Sequence, residues 1–109
     1  MLTKQKPVRS KKLRDSARGE QCTLRIPGVC CGDPETVVLA HPPVANGGMG
    51  TKGSDIDGAF ACHQCHDVLD GRTTNTVPLW EVYECFIRGA AETRARMVER
   101  GLIKVEGAK

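Results

Sequence analysis

The feature that most constrains this chain is a stretch in which two thiols and two imidazoles fall within five consecutive positions. It reads Cys62-His63-Gln64-Cys65-His66-Asp67. This pattern is typical of a zinc site, a c-type haem attachment, a redox dithiol or a disulfide. Features elsewhere in the chain are needed to decide which of these four kinds of site is present.

The size of the chain indicates that its core needs reinforcement. A chain of 109 residues is expected to form one domain, and its core is small because only four residues are aromatic. They are Phe60, Trp80, Tyr83 and Phe86. Domains of this kind are commonly stabilised by disulfides or by a bound metal. The six cysteines could supply either.

The N-terminal residues help to choose among the chemistries. They are polar and basic and contain no apolar run, so we expect neither an export signal nor a membrane span, and we predict a cytoplasmic protein. In a reducing compartment, paired cysteines bind metal or do redox chemistry more often than they form disulfides. Covalent haem attachment requires export, and a thioredoxin-like dithiol requires more strands than this chain offers. Zinc is therefore favoured.

A second pair of cysteines is also explained by zinc. Cys22 and Cys30 would join Cys62 and Cys65 in a closed, tetrahedral, structural site. The gap between the first two is wide for a zinc knuckle, and Cys31 could replace Cys30 as the ligand. A glycine-rich segment at 44–54 satisfies GxGxxG, but no helix pattern follows it, so we expect no dinucleotide site there.

Positive charge is concentrated at the N-terminus. Residues 1–20 contain seven basic and two acidic residues, whereas residues 21–109 contain nine basic and eleven acidic residues. A basic arm of this kind can contact nucleic-acid phosphates, although a solvated terminus explains it equally well. The predicted contacts are Lys11, Lys12, Arg14, Arg18 and Lys52. We expect a disordered arm at 1–12, a single domain at 13–106 and a short tail at 107–109.

The apolar pattern predicts a small α+β fold. We expect short strands at 36–40 and 57–61, and the β-branched and apolar residues of the first of them support this assignment. A long amphipathic helix is expected to begin at Pro78 and to end at Gly101. Its apolar face could exceed what a small core covers, which makes a homodimer through this helix one expectation. The remaining predictions are a helix at 12–18, a knuckle at 22–32, a helix at 63–71 and a brief strand at 102–105.

A family resemblance emerges at the spacing of three polar residues. If zinc anchors the strands to the helix, then His41, Asp57 and His66 converge on one face. At this spacing the chain resembles the HNH endonucleases, whose ββα-metal motif continues into Cys-x-x-Cys-His. It is more similar to the YbcO family, small nucleases of lambdoid prophages, over roughly residues 12–105. The shared motifs are Cys22-x-x-Arg25-Ile26-Pro27-Gly28-Val29-Cys30, Leu39-Ala40-His41 and Ala61-Cys62-x-x-Cys65-His66-Asp67.

The resemblance implies a zinc-anchored treble-clef or ββα-metal finger with an added C-terminal helix. It also implies a metal-dependent DNA endonuclease of a bacterial host, in which His41 is the general base and Asp57 orients it. His66, with Asp70 four residues later, would bind a catalytic Mg²⁺ or Mn²⁺. Many HNH enzymes have a metal ligand where this chain has Ala40. The alternative is therefore a noncatalytic zinc module that binds DNA or a protein partner.

Overall fold

The computed structural model describes residues 7–43 and 53–107, which form a small α+β domain as predicted. Two 3₁₀ turns, Pro34–Thr36 and Asp55–Asp57, each precede a strand. The regular elements in chain order are α1 (Lys11–Asp15), β1 (Val38–Ala40), β2 (Ala59–Ala61), α2 (His63–Leu69) and α3 (Leu79–Glu99). In the described part of the chain, no helix has both the length and the apolar character needed to cross a bilayer.

The centre of the fold is the antiparallel pair of β1 and β2, with α3 packed against it. Leu39 faces Phe60 across the ribbon, and Phe60 is almost completely buried. Gly89 lets α3 approach the chain closely at Thr23, since a Cβ at this glycine would lie 2.9 Å from the Thr23 carbonyl oxygen. Beside it, the buried Thr93 hydroxyl accepts a hydrogen bond of 3.0 Å from the Phe60 N–H. The tight packing thus leaves this polar group satisfied.

The ends of α2 and α3 lie close to the residues that the sequence indicated. The first residue of α2 follows Cys62, and the helix is closed by Gly71, whose φ is 73°. Pro78 precedes α3, and Gly101 follows its end with a φ of 72°. The predicted strand at 102–105 is wrong. The N–H groups of residues 102 and 103 both donate to the Met97 carbonyl and cap α3 instead.

The N-terminal segment differs from the expected disordered arm. Residues 8–12 make defined contacts, and the first turn of α1 is capped by Ser10, whose hydroxyl accepts from the Leu13 N–H at 3.3 Å. The Val8 N–H donates to the Ser54 hydroxyl at 2.9 Å, and Arg9 donates to the Gly53 carbonyl at 3.0 Å. The ordered part of the chain therefore extends back into the arm. The segment before β2 attaches it there.

Candidate metal centre and histidine site

The four cysteines assigned to zinc lie together. The sulfur atoms of Cys22, Cys30, Cys62 and Cys65 are all within 4.8 Å of one another, and all are free thiols. The Cys30 and Cys62 sulfurs are 3.9 Å apart. Four sulfurs at about 2.3 Å from a tetrahedral zinc ion have edges of about 3.8 Å, so this spacing fits zinc. In residues 7–43 and 53–107 this is the one group of three or more Cys, His, Asp or Glu ligands suited to a metal.

The knuckle that carries the first two cysteines is built by backbone reversals. Arg25 has a φ of 45° and Gly28 a φ of 74°, both in the left-handed region that side chains usually avoid. The Cys30 N–H then donates to the Ile26 carbonyl at 3.0 Å. Two hydrogen bonds to Glu92, of 2.8 and 3.1 Å, hold the Arg25 guanidinium on α3. The unusual backbone at Arg25 is thus supported by the long helix.

Backbone N–H groups point at the sulfurs. A hydrogen bond from the Cys65 thiol lowers the pKa of Cys22 to about 4, and the Arg25 and Leu24 N–H groups add to this effect. Burial and the neighbouring Cys22 raise the pKa of Cys30 to about 11. Without a bound metal ion, some of the four thiols therefore keep their protons. A bound zinc ion supplies the positive charge that would let all four thiolates form, with release of those protons.

Cys31 lies outside the cluster. It is exposed, and its sulfur is 3.8 Å from Nδ1 of His63 on the first turn of α2. The structure therefore brings Cys30, rather than Cys31, to the other three cysteines. Cys85, the sixth cysteine, is buried in the hydrophobic core on α3.

His41, the predicted base, is paired with a carboxylate that the sequence did not single out. Its Nε2 lies 2.8 Å from Oδ1 of Asp55, while Asp57, the residue predicted to orient His41, is exposed. Both aspartates lie in the 3₁₀ turn before β2, and their order along the chain does not distinguish them. Burial distinguishes the two aspartates, because no part of the Asp55 side chain reaches solvent whereas Asp57 is exposed.

Asp55 is held by several donors. Its Oδ2 accepts from the Ser10 N–H at 2.6 Å and from the Arg14 guanidinium at 2.7 Å, and Arg9 lies 3.6 Å from Oδ1. Burial opposes ionisation, but the Ser10 N–H, His41 and Arg14 outweigh it and lower the pKa of Asp55 below its usual value. Asp55 is therefore a buried carboxylate that connects the N-terminal segment to His41.

The second predicted histidine forms its own pair on α2. Nε2 of His66 lies 3.1 Å from Oδ2 of Asp70, as expected for residues four apart on a helix. The same Asp70 oxygen accepts from Arg72 at 2.8 Å. α2 begins at the end of the ribbon where Val38 faces Ala61, whereas His41 follows the other end of β1. The structure thus contains two separate histidine–carboxylate pairs. Within residues 7–43 and 53–107, the expected trio of His41, Asp57 and His66 does not form a common group of potential metal ligands.

The predicted nucleic-acid contacts have different surroundings. Lys12 and Arg18 are exposed, and Lys11 is exposed but paired with Asp15 at 2.7 Å. The Arg14 guanidinium forms an ion pair with Asp55 at 2.7 Å. Lys52, like residues 44–51 of the glycine-rich segment, lies outside the described residues.

The chain is similar to known proteins in both sequence and structure. The model of the family described as "Putative nuclease YbcO" matches residues 11–102. The protein of that name from Escherichia coli strain K12 is 45% identical over 93 residues, covering 84% of this chain and 96% of that protein. A protein of the same name from Enterobacteria phage 82 matches with the same identity and coverage. A solved structure described as "a putative bacteriophage protein from Escherichia coli str. K-12 substr. MG1655" superposes with a TM-score of 0.70 at 41% identity, over 83% of this chain and 100% of that chain.

Proposed function

The chain belongs to the YbcO family, and we propose that it is a metal-dependent endonuclease that hydrolyses phosphodiester bonds in DNA. Two relatives carry the name of a nuclease, one of them from a phage. The main support for the proposal is the hydrogen bond of 2.8 Å between Nε2 of His41 and Oδ1 of the buried Asp55. A histidine held in this way by a carboxylate, beside two arginines, is suited to activate water near a phosphate.

His41 is the general base in this proposal, and Asp55 is its positioning residue. Ionised Asp55 accepts a hydrogen bond from the Nε2–H group of His41, which leaves the lone pair on Nδ1 free to bind a proton. His41 then takes a proton from the water molecule that attacks phosphorus, as the P–O bond on the opposite side breaks. The Asp55 carboxylate stabilises the imidazolium that forms. Asp55 thus takes the orienting role that the sequence suggested for Asp57.

His66 and Asp70 would hold the catalytic Mg²⁺ or Mn²⁺. An imidazole nitrogen and a carboxylate oxygen 3.1 Å apart fit as two ligands, since such ions keep several waters and bind substrate phosphate oxygens as well. When bound, the ion supplies charge that stabilises the phosphoryl oxygens and the leaving oxygen. Arg72, which contacts Asp70 and is more than half exposed, can turn to solvent.

Zinc would have a structural role. Four cysteines close its coordination and leave no position for water or substrate. The four ligands come from the knuckle and from the start of α2, so the ion would join these two parts of the chain. We expect it to hold α2 in place for His66.

The DNA would lie across the N-terminal segment. Lys12 and Arg18 are exposed on this segment, and Arg9 and Arg14, both partly exposed, lie near His41 through Asp55. Contacts of this kind to phosphate make binding weaker at higher salt and carry no sequence preference of their own.

The decisive experiment measures cleavage of plasmid DNA with Mg²⁺ or Mn²⁺ while zinc content is determined in the same preparations. His41→Ala should abolish cleavage and keep its zinc. His63→Ala is the matched control, because His63 is an exposed histidine with no role in the proposed reaction. Equal cleavage by wild type and His41→Ala would refute the assignment. Zinc-loaded wild type that binds DNA without cutting it would favour the noncatalytic zinc module.

A further inference from the structure

The outer face of α3 carries an exposed apolar strip. Trp80 and Ile87 are 66% and 70% exposed, Val98 is 42% exposed, and Ala91 between them is also exposed. Since each helical residue turns about 100°, these four positions lie within about 40° of one another. The strip is about 27 Å long at 1.5 Å per residue. Scattered exposed apolar residues are ordinary, but an aligned strip marks an interaction surface.

Two charged residues complete the strip. Glu84 and Arg94 are both exposed and lie on the same side of the helix. Together the six positions alternate in steps of four and three residues, which is the spacing of a coiled-coil seam. In chain order they are Trp80, Glu84, Ile87, Ala91, Arg94 and Val98. These six positions are called the α3 seam. Trp80, Glu84 and Ile87 form its first half, and the smaller Ala91 and Val98, with the basic Arg94, form its second half.

We infer that this seam binds the same seam of a second copy of the chain in the antiparallel direction. A two-fold axis between Ile87 and Ala91 brings each Glu84 opposite Arg94 of the second copy, so that two ion pairs form. The same axis places Trp80 of each copy against Val98 of the other. Each large side chain then meets a smaller one, as close packing requires.

The parallel arrangement lacks this complementarity. It would place Glu84 against Glu84 and Arg94 against Arg94, and like charges in contact oppose association. It would also put Trp80 against Trp80. Antiparallel helices additionally place opposite ends of their dipoles together. One nitrogen of Arg94 donates to the Ile56 carbonyl at 3.3 Å, and the guanidinium has further N–H donors for Glu84.

The size of the seam sets the range in which association is measured. A single pair of helices about 27 Å long buries less than a standard interface of roughly 1,600 Å², so we expect a dissociation constant of about micromolar order. Such a dimer depends on concentration. Dimerisation through α3 would not require nuclease activity.

The test is sedimentation equilibrium of the full zinc-loaded chain from micromolar to millimolar concentration. Wild type should form a dimer, whereas Glu84→Arg and Arg94→Glu should each weaken it at least about tenfold, because both ion pairs become repulsive. Mixing these two variants should restore a dimer, since each reversed residue then faces its opposite charge. Glu99→Arg is the matched control, as Glu99 is exposed on α3 away from the seam and should leave the dimer unchanged.

Trp80 provides an independent readout, because it is the only tryptophan. Its fluorescence should shift to shorter wavelength as wild type dimerises, and not in Ile87→Glu. A wild-type chain that is monomeric at all concentrations overturns the inference, as does a mixture of charge variants that stays monomeric. If Trp80 fluorescence responds instead to added DNA while the chain remains monomeric, the face binds nucleic acid and the inference is also wrong.

Discussion

Replacing Asp55 by asparagine is the most direct test of how His41 is organised. The side chain keeps its shape, but one carboxylate oxygen becomes an NH₂ donor. The amide oxygen is expected to face the Ser10 N–H and Arg14, which are two donors, and the NH₂ group then faces Nε2 of His41. Nε2 must accept that hydrogen bond, so the imidazole proton moves to Nδ1. The nitrogen proposed to take a proton from water is then already protonated.

The magnitude follows from the contacts that change. The buried Asp55 carboxylate takes part in three hydrogen bonds, at 2.6, 2.7 and 2.8 Å, and in the variant a neutral amide replaces this charged group in all three. A hydrogen bond to a charged group contributes roughly 1 kcal/mol more than a neutral one. Because Arg14 is partly exposed and can be resolvated, the expected loss of unfolding free energy is about 2–3 kcal/mol. Holding a catalytic histidine in the wrong tautomer has cost about 10⁴-fold in rate in a serine protease, so we expect a loss of roughly 10³-fold or more here.

Three measurements on one preparation separate the two effects. Denaturant unfolding gives the stability, DNA cleavage below the unfolding transition gives the rate, and nitrogen-15 NMR of the imidazole gives the tautomer. Asp57→Asn is the matched control, because Asp57 is exposed in the same 3₁₀ turn, and it should change none of the three. A folded Asp55→Asn variant that cleaves DNA at the wild-type rate, or a wild-type His41 with its proton on Nδ1, would refute the reasoning.

Other parts of the structure give further predictions. Cys65→Ser should lose about one zinc per chain and unfold, while Cys31→Ser, outside the cluster, should keep its zinc in elemental analysis; full zinc in both variants would contradict the site. Gly89→Ala should cost about 1–3 kcal/mol in denaturant unfolding, since its Cβ would lie 2.9 Å from a backbone oxygen; an unchanged midpoint would contradict this. The pKa of Asp55 is lower in the folded protein than in the unfolded chain, where it is about 3.9. Ionised Asp55 therefore makes its full contribution to the stability of the fold above that unfolded-state pKa, and this contribution is lost as the pH falls through the folded-state pKa. The stability difference between wild type and Asp55→Asn should therefore shrink below about pH 4, and a constant difference would exclude Asp55 as the cause.

The two pairs of clustered cysteines were predictable because the signal of each pair is local. Cys62 and Cys65 are spaced so that the start of one helix brings them together, and each spacing can be read from the sequence. The ends of α3 were predictable for the same reason, since Pro78 and Gly101 act on the backbone within a few residues. The pairing of Cys30 instead of Cys31 depends on the path of the knuckle, where Arg25 has a positive φ that an arginine does not signal.

The environment of His41 could not be predicted because burial is a property of the whole fold. Asp55 and Asp57 are the same residue type two positions apart, and the match to a family motif selected the exposed one. Composition also made the N-terminal segment look like a disordered arm. Its arginines are ordered because Arg9 and Arg14 approach a carboxylate more than forty residues away in sequence.

Two polar anchors compensate for the small core of this domain. The ribbon is only three residues long in each strand, so it cannot by itself fix the segments that flank it. The cysteine cluster includes Cys62, next to the end of β2, and joins that end to the knuckle, while Asp55, just before β2, joins the other end to α1 and His41. Each anchor holds one of the proposed catalytic histidines, His66 through α2 and His41 directly. Loss of zinc should therefore displace His66 before it displaces His41, because the Asp55 network contains no cysteine.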